Sequence, residues 1–192
     1  MNTLFPVEPD YPPGFVYLPD FITAAEETEL MKAILETELH PFNFHGYTGK
    51  RKVASFGYDW SFEKQQLSRG KEIPSAFQGI IEKVAKQTGI NKEAFAELLL
   101  TEYPVGAVIN WHRDAPPFDT IAGLSLMADC VFRLRPHDKT KQSRSTTLSF
   151  PVKPRSLYII QGPARTDWQH STAPVKQVRY SITLRTLKSQ AG

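Results

Sequence analysis

The residues best suited to chemistry are His112 and Asp114, which stand two positions apart at the end of the stretch 101–114. In an extended strand such residues point to the same side, with Cα atoms roughly 6.5–7 Å apart. An imidazole and a carboxylate at that separation can share one cation. Completed by a second histidine from elsewhere, the pair is the ligand set of non-haem Fe(II) sites that keep coordination positions open. Two unconnected surface residues are the alternative.

A second polar set lies in residues 179–185. Strand alternation puts four polar side chains on one face: Arg179, Ser181, Thr183 and Arg185. The intervening residues are apolar and predict a core-facing side. The Cα atoms of the two arginines would lie roughly 20 Å apart, so both long side chains could approach a short dicarboxylate between them. A solvated sheet edge is the alternative.

Composition bounds the class of protein. The chain has 192 residues, 41% hydrophobic and 22% charged, which is typical of one soluble globular domain. Its single cysteine, Cys130, allows no intrachain disulfide, and we see no signal peptide, so a cytoplasmic location is expected. No apolar run reaches about 18 residues, so no membrane span is predicted. A net charge of +3 permits nucleic-acid binding without requiring it. A monomer is expected.

Periodicity predicts two helices followed by short strands. Thr23 and Glu26 form a capping box before an amphipathic helix at 24–38, and a second helix is predicted at 74–87. Strands with turn residues between them are predicted at 97–103, 107–112, 120–127, 130–136, 145–150, 156–161 and 178–187. The pattern favours a mainly β protein with flanking helices, built as a sandwich or barrel.

Taken together, these elements resemble the AlkB family of Fe(II)- and 2-oxoglutarate-dependent dioxygenases. The resemblance rests on Tyr103-x-x-Gly106, His112-x-Asp114, His170, and Arg179 with five residues before Arg185. It covers roughly residues 97–187, and the two predicted helices fit the family's N-terminal half. Five dispersed elements in the right order are far more specific than any one of them.

The resemblance implies a fold, a division of the chain and a set of roles. The fold is a double-stranded β-helix (jelly-roll) core at 97–187, with two helices packed on it. Residues 1–96 would form an N-terminal helical part with a substrate lid at about 42–70, within a single domain at 1–192. The metal ligands would be His112, Asp114 and His170. The 2-oxoglutarate contacts would be Arg179, Arg185, Tyr103, Thr101 and Ser181, with Arg185 either at the keto-acid end or holding Asp114.

The chain departs from the family pattern at several positions. Thr101 stands where many members carry Asn, and Ser181 where some do; both are shorter hydrogen-bonding groups. The acid that some repair members place two residues after the ligand Asp falls on Pro116 here. Whether Asp119 replaces it stays open. The stretches 56–60 and 162–165 are closer to the branch that includes RNA-modifying members.

Two segments are candidates for substrate binding. Residues 42–62 interleave aromatic side chains with cations, which suits stacking of an unstacked base and contact with phosphate. Packing under the sheet is the alternative and is expected for about half of these aromatics. The net +4 segment 133–144 is either a phosphate-binding patch or a solvated loop. The predicted substrate contacts are Arg51, Phe56, Tyr58, Trp60, Trp111, Lys139, Lys141 and Arg144, with Trp111 and Trp168 expected to wall the pocket.

The resemblance implies an iron- and O2-dependent oxidation. The predicted activity is oxidative demethylation of alkylated bases in DNA or RNA, with release of formaldehyde, succinate and CO2. One alternative keeps the chemistry but changes the target to a tRNA modification, a protein side chain or a small molecule. A second alternative is a non-catalytic nucleic-acid-binding module.

Overall fold

The computed structural model describes residues 10–44 and 47–189, without the side chains of 44 and 47, so that the predicted aromatic segment's His45 lies outside it. Three α-helices are described: α1 (Ala24–Leu35), α2 (Gln78–Thr88) and α3 (Gly162–Thr166). Twelve strands are described: β1 (Phe15–Leu18), β2 (His40–Phe44), β3 (Tyr47–Ser61), β4 (Gln66–Arg69), β5 (Phe95–Tyr103), β6 (Ile109–His112), β7 (Phe118–Leu126), β8 (Cys130–Pro136), β9 (Leu148–Val152), β10 (Leu157–Ile160), β11 (Trp168–Thr172) and β12 (Arg179–Leu187). The predicted mainly β class is confirmed.

The strands form two antiparallel sheets. The major sheet has eight strands in the order β1-β10-β7-β12-β5-β3-β2, with β4 paired to β3. The minor sheet has four, in the order β6-β11-β8-β9. Many neighbours in the sheets are distant in sequence. Strand β12 lies between β5 and β7 and brings three separated segments side by side. This arrangement is the predicted β-sandwich.

The sandwich has two hydrophobic cores because the major sheet is covered on both faces. Its outer face packs against α1 and α2 through a cluster that includes Ile34, Ile81, Leu98 and Leu184. Its inner face packs against the minor sheet through a cluster that includes Phe118, Ile121, Phe132, Leu134 and Phe150. Side chains of β12 on the inner face lie between the two sheets. This is the expected position of the polar set Arg179, Ser181, Thr183 and Arg185.

Helix α1 begins at the predicted residue, whereas α2 begins later than predicted. The capping box is present, since Thr23 Oγ1 accepts from the Glu26 N–H at 3.1 Å and the Glu26 carboxylate accepts from the Thr23 N–H at 2.7 Å. Helix α1 ends at Leu35, three residues earlier than predicted. A 3-10 turn over Ser75–Phe77 precedes α2, which therefore begins at Gln78, and Gly89 ends it in the left-handed region at φ 71°. No described helix has the length and apolarity needed to cross a membrane.

The N-terminal half contains more strand than the sequence pattern predicted. Four strands, β1 to β4, lie in the part expected to be helical. The segment predicted as a lid forms two hairpins, β2–β3 and β3–β4, and β3 joins the major sheet by pairing with β5. Strand β11 was not predicted either. Its sequence, Trp-Gln-His-Ser-Thr, has too few apolar residues to show an alternating pattern.

The helix-side core predicts a large cost for truncation. Leu98 is fully buried there, at 0% exposure. Leu98→Ala should lower the free energy of unfolding by about 2–5 kcal/mol, measured by urea denaturation, because it leaves a cavity. Leu35→Ala, at a side chain that is 68% exposed, is the control and should change it by about 0.5 kcal/mol or less. Equal losses for the two variants would contradict this packing.

Candidate active site

The inner faces of β5 and β12 carry a continuous row of polar side chains. Their register pairs Arg179 with Tyr103, Ser181 with Thr101, and Arg185 with Glu97. Paired residues share a face of the sheet. All six are buried except Arg185, which is largely buried. A buried polar row between two sheets needs partners, and those partners define the site.

Two histidines meet where the minor sheet approaches this row. Strands β6 and β11 pair in register at His112 and His170, and the two ring centroids lie 4.2 Å apart. Asp114 follows β6 by two residues. One ligand atom from each of these three residues lies within 4.8 Å of the other two. The structure thus brings together the three residues predicted as metal ligands.

One oxygen of Asp114 is held and the other has no hydrogen-bond partner. Arg185 donates to Asp114 Oδ1 from Nε at 2.9 Å and from Nη2 at 2.7 Å. Asp114 Oδ2 is buried and accepts no hydrogen bond from any described residue. Burial alone would raise the pKa of Asp114, but the charge and hydrogen bonds of Arg185 outweigh it and hold this pKa well below its usual range. The carboxylate is therefore ionised, with one oxygen left for a ligand.

The imidazoles are neutral at physiological pH. Burial and the neighbouring His112 lower the pKa of His170 from 6.5 to about 3, and burial also lowers the pKa of His112. His170 Nε2 lies 3.5 Å from Asp114 Oδ2. That contact is not a salt bridge, because a neutral imidazole facing this carboxylate oxygen brings no positive charge. The asparagine carbonyl at 110 lies 2.8 Å from His112 Nδ1, so this nitrogen carries the proton and Nε2 is free to bind.

This donor set fits a divalent metal ion. Two neutral imidazoles and one ionised carboxylate are the protonation states in which these groups bind metal. Burying Asp114 Oδ2 without a partner is energetically unfavourable, and a bound cation would remove that penalty. Two histidines and a carboxylate, with positions left open, suit non-haem Fe(II).

Glu97 belongs to this network, and sequence reasoning gave it no role. It accepts a hydrogen bond from Arg185 Nη1 and is buried. Burial raises the pKa of Glu97, and Arg185 opposes that rise. Arg185 thus lies between two carboxylates, Glu97 and Asp114. The signal was present in β5, where alternation puts Glu97 on the same face as Thr101 and Tyr103.

Arg165 fixes the loop that carries Asp114, and it was also missed. Its Nη2 donates to three backbone carbonyls, those of Asp114 at 3.2 Å, Ala115 at 2.9 Å and Phe118 at 2.9 Å. The side chain is buried. Nothing in the sequence shows this contact, because the arginine lies about fifty residues from the loop. Its effect is to hold the chain between β6 and β7 in one conformation.

Arg179 is a buried cation without a carboxylate partner. It is 2% exposed, donates from Nε to Ser125 Oγ at 3.0 Å, and has its guanidinium carbon 4.8 Å from the centre of the Tyr103 ring. Among residues 10–44 and 47–189 no acidic side chain forms a salt bridge with it. The Tyr103 and Ser181 hydroxyl oxygens lie 3.4 Å apart beside it. A buried guanidinium in this state is suited to an anionic ligand.

Arg51 reaches the same region from β3. Lys52 pairs with Glu102, so Arg51 falls beside Tyr103 on the neighbouring strand. Its guanidinium carbon lies 3.8 Å from the centre of the Phe42 ring. Burial lowers the pKa of Arg51, and the charge of Asp114 acts against this. The structure therefore places one predicted substrate contact at the edge of the polar row.

The aromatic residues of β3 divide between two environments. Phe56 was predicted to contact substrate, but it is buried in the helix-side core, so that prediction is wrong. Trp60 packs instead against the core between the sheets, and Tyr58 is half-buried opposite Arg69. Gly57 separates them with φ 81°, a left-handed conformation that interrupts the strand alternation. This reversal at one glycine could not be read from alternation alone.

Trp111 faces away from the pocket, contrary to the prediction that it walls it. Side chains alternate along β6, so Trp111 lies on the opposite face from His112. Two arginines of β8 cover its ring, Arg135 at 4.3 Å and Arg133 at 5.1 Å from the ring centre. Trp168, by contrast, packs against the core between the sheets.

The remaining predicted residues lie on the surface. Lys139, Lys141 and Arg144 are exposed in the connection between β8 and β9. Of these, Lys141 lies 3.9 Å from Asp138. Asp119, considered as a replacement for the acid missing at Pro116, is exposed near the start of β7. Asp119 does not belong to the described cluster of possible metal ligands around Asp114.

Comparison with known proteins agrees with this geometry. The model of a family described as the 2OG-Fe(II) oxygenase superfamily matches residues 14–185. An Arabidopsis thaliana protein named alkylated DNA repair protein ALKBH8 homolog is 27% identical over 181 residues, covering 82% of this chain and 50% of that protein. A Bos taurus protein named alpha-ketoglutarate-dependent dioxygenase alkB homolog 7, mitochondrial, is 31% identical over 160 residues, covering 81% of this chain and 65% of that protein.

Two further similarities bear on length and fold. A Mus musculus protein named tRNA (carboxymethyluridine(34)-5-O)-methyltransferase ALKBH8 is 28% identical over 172 residues, covering 86% of this chain but 25% of that protein. The chain thus spans half or less of the two ALKBH8 relatives. The structure of OsALKBH1 superposes with a TM-score of 0.71 at 14% identity, covering 92% of this chain and 98% of that one. The predicted double-stranded β-helix fold and the resemblance to AlkB proteins are confirmed.

The low pKa of His170 predicts that the metal-free protein loses stability in acid. Unfolded histidine titrates near 6.5, whereas folded His170 titrates at about 3. Between these values the unfolded chain binds more protons, so the free energy of unfolding falls by up to about 1.4 kcal/mol per pH unit as pH decreases. His170→Gln should therefore give a shallower pH dependence than the wild type. Denaturant titrations with a chelator across this pH window measure the slopes.

The control for this titration is His137→Gln, which changes an exposed histidine. It should keep the wild-type slope. Identical slopes in the wild type and in His170→Gln would show that His170 is not held neutral by burial.

Proposed function

Because the chain belongs to the 2OG-Fe(II) oxygenase superfamily, we propose that it oxidatively demethylates alkylated bases in DNA or RNA. Members of this superfamily are dioxygenases that depend on 2-oxoglutarate, and the cofactors of this enzyme are Fe(II), 2-oxoglutarate and O2. The observation that carries the proposal is Asp114 Oδ2, a buried carboxylate oxygen without a hydrogen bond that faces a neutral histidine.

The proposed roles follow from the charges of the site. His112, Asp114 and His170 hold Fe(II). Arg179, with Tyr103 beside it, binds the distal carboxylate of 2-oxoglutarate, because it is the buried arginine of the polar row that has no acidic partner among the described residues. Thr101 and Ser181 lie in the same row and offer hydroxyl groups to the cosubstrate. When bound, Fe(II) and 2-oxoglutarate supply the O2-dependent oxidation, with succinate and CO2 as products and formaldehyde lost from a hydroxylated N-methyl group.

The rest of the site keeps these groups in one arrangement. Arg185 keeps Asp114 ionised and takes up only one of its oxygens. Arg165 holds the loop that follows β6. The His170 ring stacks on Phe132 at a centroid distance of 5.6 Å and an angle of 8°. Such a preorganised and largely apolar surround limits water around the reacting groups.

Support for a nucleic-acid substrate comes from relatives and from charge. The Arabidopsis thaliana relative is named for alkylated DNA repair and the Mus musculus relative for tRNA. Arg51 lies at the edge of the polar row with Phe42 against it, so a cation and an aromatic ring stand together near the pocket. Lys139 and Arg144 add exposed positive charge in the loop after β8, the strand whose Arg135 lies over Trp111. Cations and aromatic rings are the groups that contact phosphates and unstacked bases.

A modified base of tRNA is the second candidate substrate. It is favoured by the name of the Mus musculus relative, which refers to carboxymethyluridine in tRNA. Pro116 also lacks the acid that some repair members use to discriminate bases. The iron chemistry is the same for both candidates, so only the substrate distinguishes them.

The same proposal extends to the organisation of the chain. We propose that residues 1–192 form one domain, that 97–187 form the catalytic core, and that the hairpins within 42–70 act as the substrate lid. The position of Arg51 on β3 beside Tyr103 supports the lid. We further propose a monomer in the cytoplasm, which fits a single, buried cysteine.

A screen for succinate tests the proposed function. The iron-loaded protein is incubated with 2-oxoglutarate and methylated DNA or RNA oligonucleotides, tRNA or methylated peptides, and succinate and formaldehyde are measured. Methylated oligonucleotides should raise both products together. Stimulation by tRNA without formaldehyde would favour hydroxylation of a modified base. Stimulation by peptides alone would overturn the nucleic-acid assignment.

Replacing any proposed metal ligand should abolish turnover without unfolding the protein. His112→Ala, Asp114→Ala and His170→Ala each remove one of three ligands, so consumption of 2-oxoglutarate with added Fe(II) should fall to background. Circular dichroism checks the fold, and His137→Ala is the matched control. Near-normal consumption in one of the three variants would remove that residue from the ligand set.

Loss of Arg179 should weaken cosubstrate binding. Charge-assisted hydrogen bonds contribute roughly 1.5–3 kcal/mol, so Arg179→Ala should raise the 2-oxoglutarate concentration for half-maximal turnover by about tenfold to a hundredfold. Arg179→Lys should restore only part of the affinity, because a point charge replaces a planar fork. Arg155→Ala, whose guanidinium pairs with Glu27 of α1 on the helix side of the major sheet, is the control. If Arg179→Ala needs the same 2-oxoglutarate concentration as the wild type, Arg179 does not bind the distal carboxylate.

Neutralising the loop between β8 and β9 should flatten the salt dependence of nucleic-acid binding. Each lost phosphate contact reduces the slope of log affinity against log salt by about 0.7–0.9. The variant replaces Lys139, Lys141 and Arg144 with alanine, and its uncoupled 2-oxoglutarate turnover should be unchanged. The control replaces three lysines in or next to the two long helices with alanine, namely Lys32, Lys86 and Lys92. It changes the net charge by the same amount. Equal slopes in the two variants would show that the loop is only a solvated surface.

A further inference from the structure

The inner face of the major sheet holds one tyrosine that the roles above do not use. Tyr158 lies on β10, is 8% exposed, and packs in the core between the sheets. Its ring contacts Phe132 at a centroid distance of 4.9 Å and stacks on Phe15 at 6.5 Å and 9°. No described residue forms a hydrogen bond with its hydroxyl group. The hydroxyl is therefore free to donate a hydrogen bond to a bound ligand.

Gly123 lets this phenol cross the sheet. It pairs with Tyr158 on one side and with Thr183 on the other. A Cβ at Gly123 would lie 2.1 Å from Tyr158 Cζ and 2.4 Å from its hydroxyl oxygen. The end of the ring therefore lies directly over the glycine, in space that any other residue would fill. The hydroxyl is thus carried from β10 over β7 toward β12.

The register places this hydroxyl in the middle of the polar row. Thr183, on the strand beyond Gly123, lies between Arg179 and Arg185 in the sequence of β12. Ser125, two residues from Gly123 along β7, accepts the hydrogen bond from Arg179 Nε at 3.0 Å. The phenol end is therefore about one strand repeat, roughly 7 Å, from the serine that positions Arg179.

Burial and neighbouring groups set the protonation state of this phenol. Burial raises the pKa of Tyr158 most, followed by the influence of Tyr103, while Arg179 opposes the rise and Asp114 contributes less than either. The phenol therefore stays protonated at physiological pH and can act as a hydrogen-bond donor. Tyr103 and Arg179 are the residues proposed above to bind the distal carboxylate.

We propose that Tyr158 is a further 2-oxoglutarate-binding residue, whose hydroxyl donates a hydrogen bond to the distal carboxylate beside Arg179. The inference rests on the proposed role of Arg179. It assigns Tyr158 a specificity role, because the contact exists only for a keto acid long enough to carry a carboxylate at that end. Gly123 is the positioning residue that makes room for the phenol.

The test compares the affinities of two keto acids for the Mn(II)-loaded protein, in which no turnover intervenes. Isothermal titration calorimetry measures binding of 2-oxoglutarate and of 2-oxobutanoate, which lacks the distal carboxylate. Tyr158→Phe removes only the hydroxyl and should weaken 2-oxoglutarate binding by about tenfold to a hundredfold, as expected for a charge-assisted hydrogen bond. Binding of 2-oxobutanoate should be the same in the wild type and the variant.

The matched control is Tyr180→Phe, which removes a partly buried hydroxyl that donates to Glu102 on the helix-facing side of β12. It should bind both keto acids as the wild type does. Unchanged 2-oxoglutarate affinity in Tyr158→Phe would overturn the inference. Equal weakening of both keto acids would also overturn it, because Tyr158 would then act at the metal end or through the fold. A wild-type protein that binds Mn(II) but no 2-oxoglutarate would instead refute the proposed function.

Discussion

The buried negative charge of Asp114 is the constraint on which the rest of the site depends. An isolated carboxylate inside a protein is strongly unfavourable, and it becomes acceptable only when paired and hydrogen-bonded. Arg185 meets that requirement at Oδ1 and leaves Oδ2 without a hydrogen bond. Because His112 and His170 are neutral, the pocket still requires positive charge at the free oxygen. The arrangement can hold a metal ion because of what its own side chains leave unsatisfied.

The topology explains how so many charges come together. Strand β12 lies between β5 and β7, so Arg185 can reach Glu97 from one neighbour and the loop before the other. The pairing of β6 with β11 joins two histidines that are far apart in sequence. Arg165 then fixes the loop that carries Asp114, because it donates to the backbone carbonyl oxygens of Asp114, Ala115 and Phe118. Each contact links separate elements, so the geometry depends on the complete sandwich.

Features that lie within a few residues of each other could be predicted from the sequence, whereas contacts between distant segments could not. His112-x-Asp114 and the alternation of β12 are visible within a few residues, and so the polar face containing Arg179 and Arg185 could be anticipated. His170 came only from resemblance, because its pairing with His112 is a property of the folded sheet. Phe56 and Trp111 were misassigned: one glycine reverses the alternation of β3, and strand geometry turns Trp111 to the outer face. Arg165 carries no local sign of its contacts.

The most direct test of the metal centre is an anaerobic titration of the purified protein with Fe(II), followed by 2-oxoglutarate. The account predicts a visible metal-to-ligand charge-transfer band that grows with 2-oxoglutarate and saturates at one equivalent of each per chain. Its absence, with Fe(II) shown to be bound, would mean that the keto acid does not reach the metal. Absence of both the band and bound Fe(II) would contradict the assignment of Asp114, His112 and His170 as a metal centre.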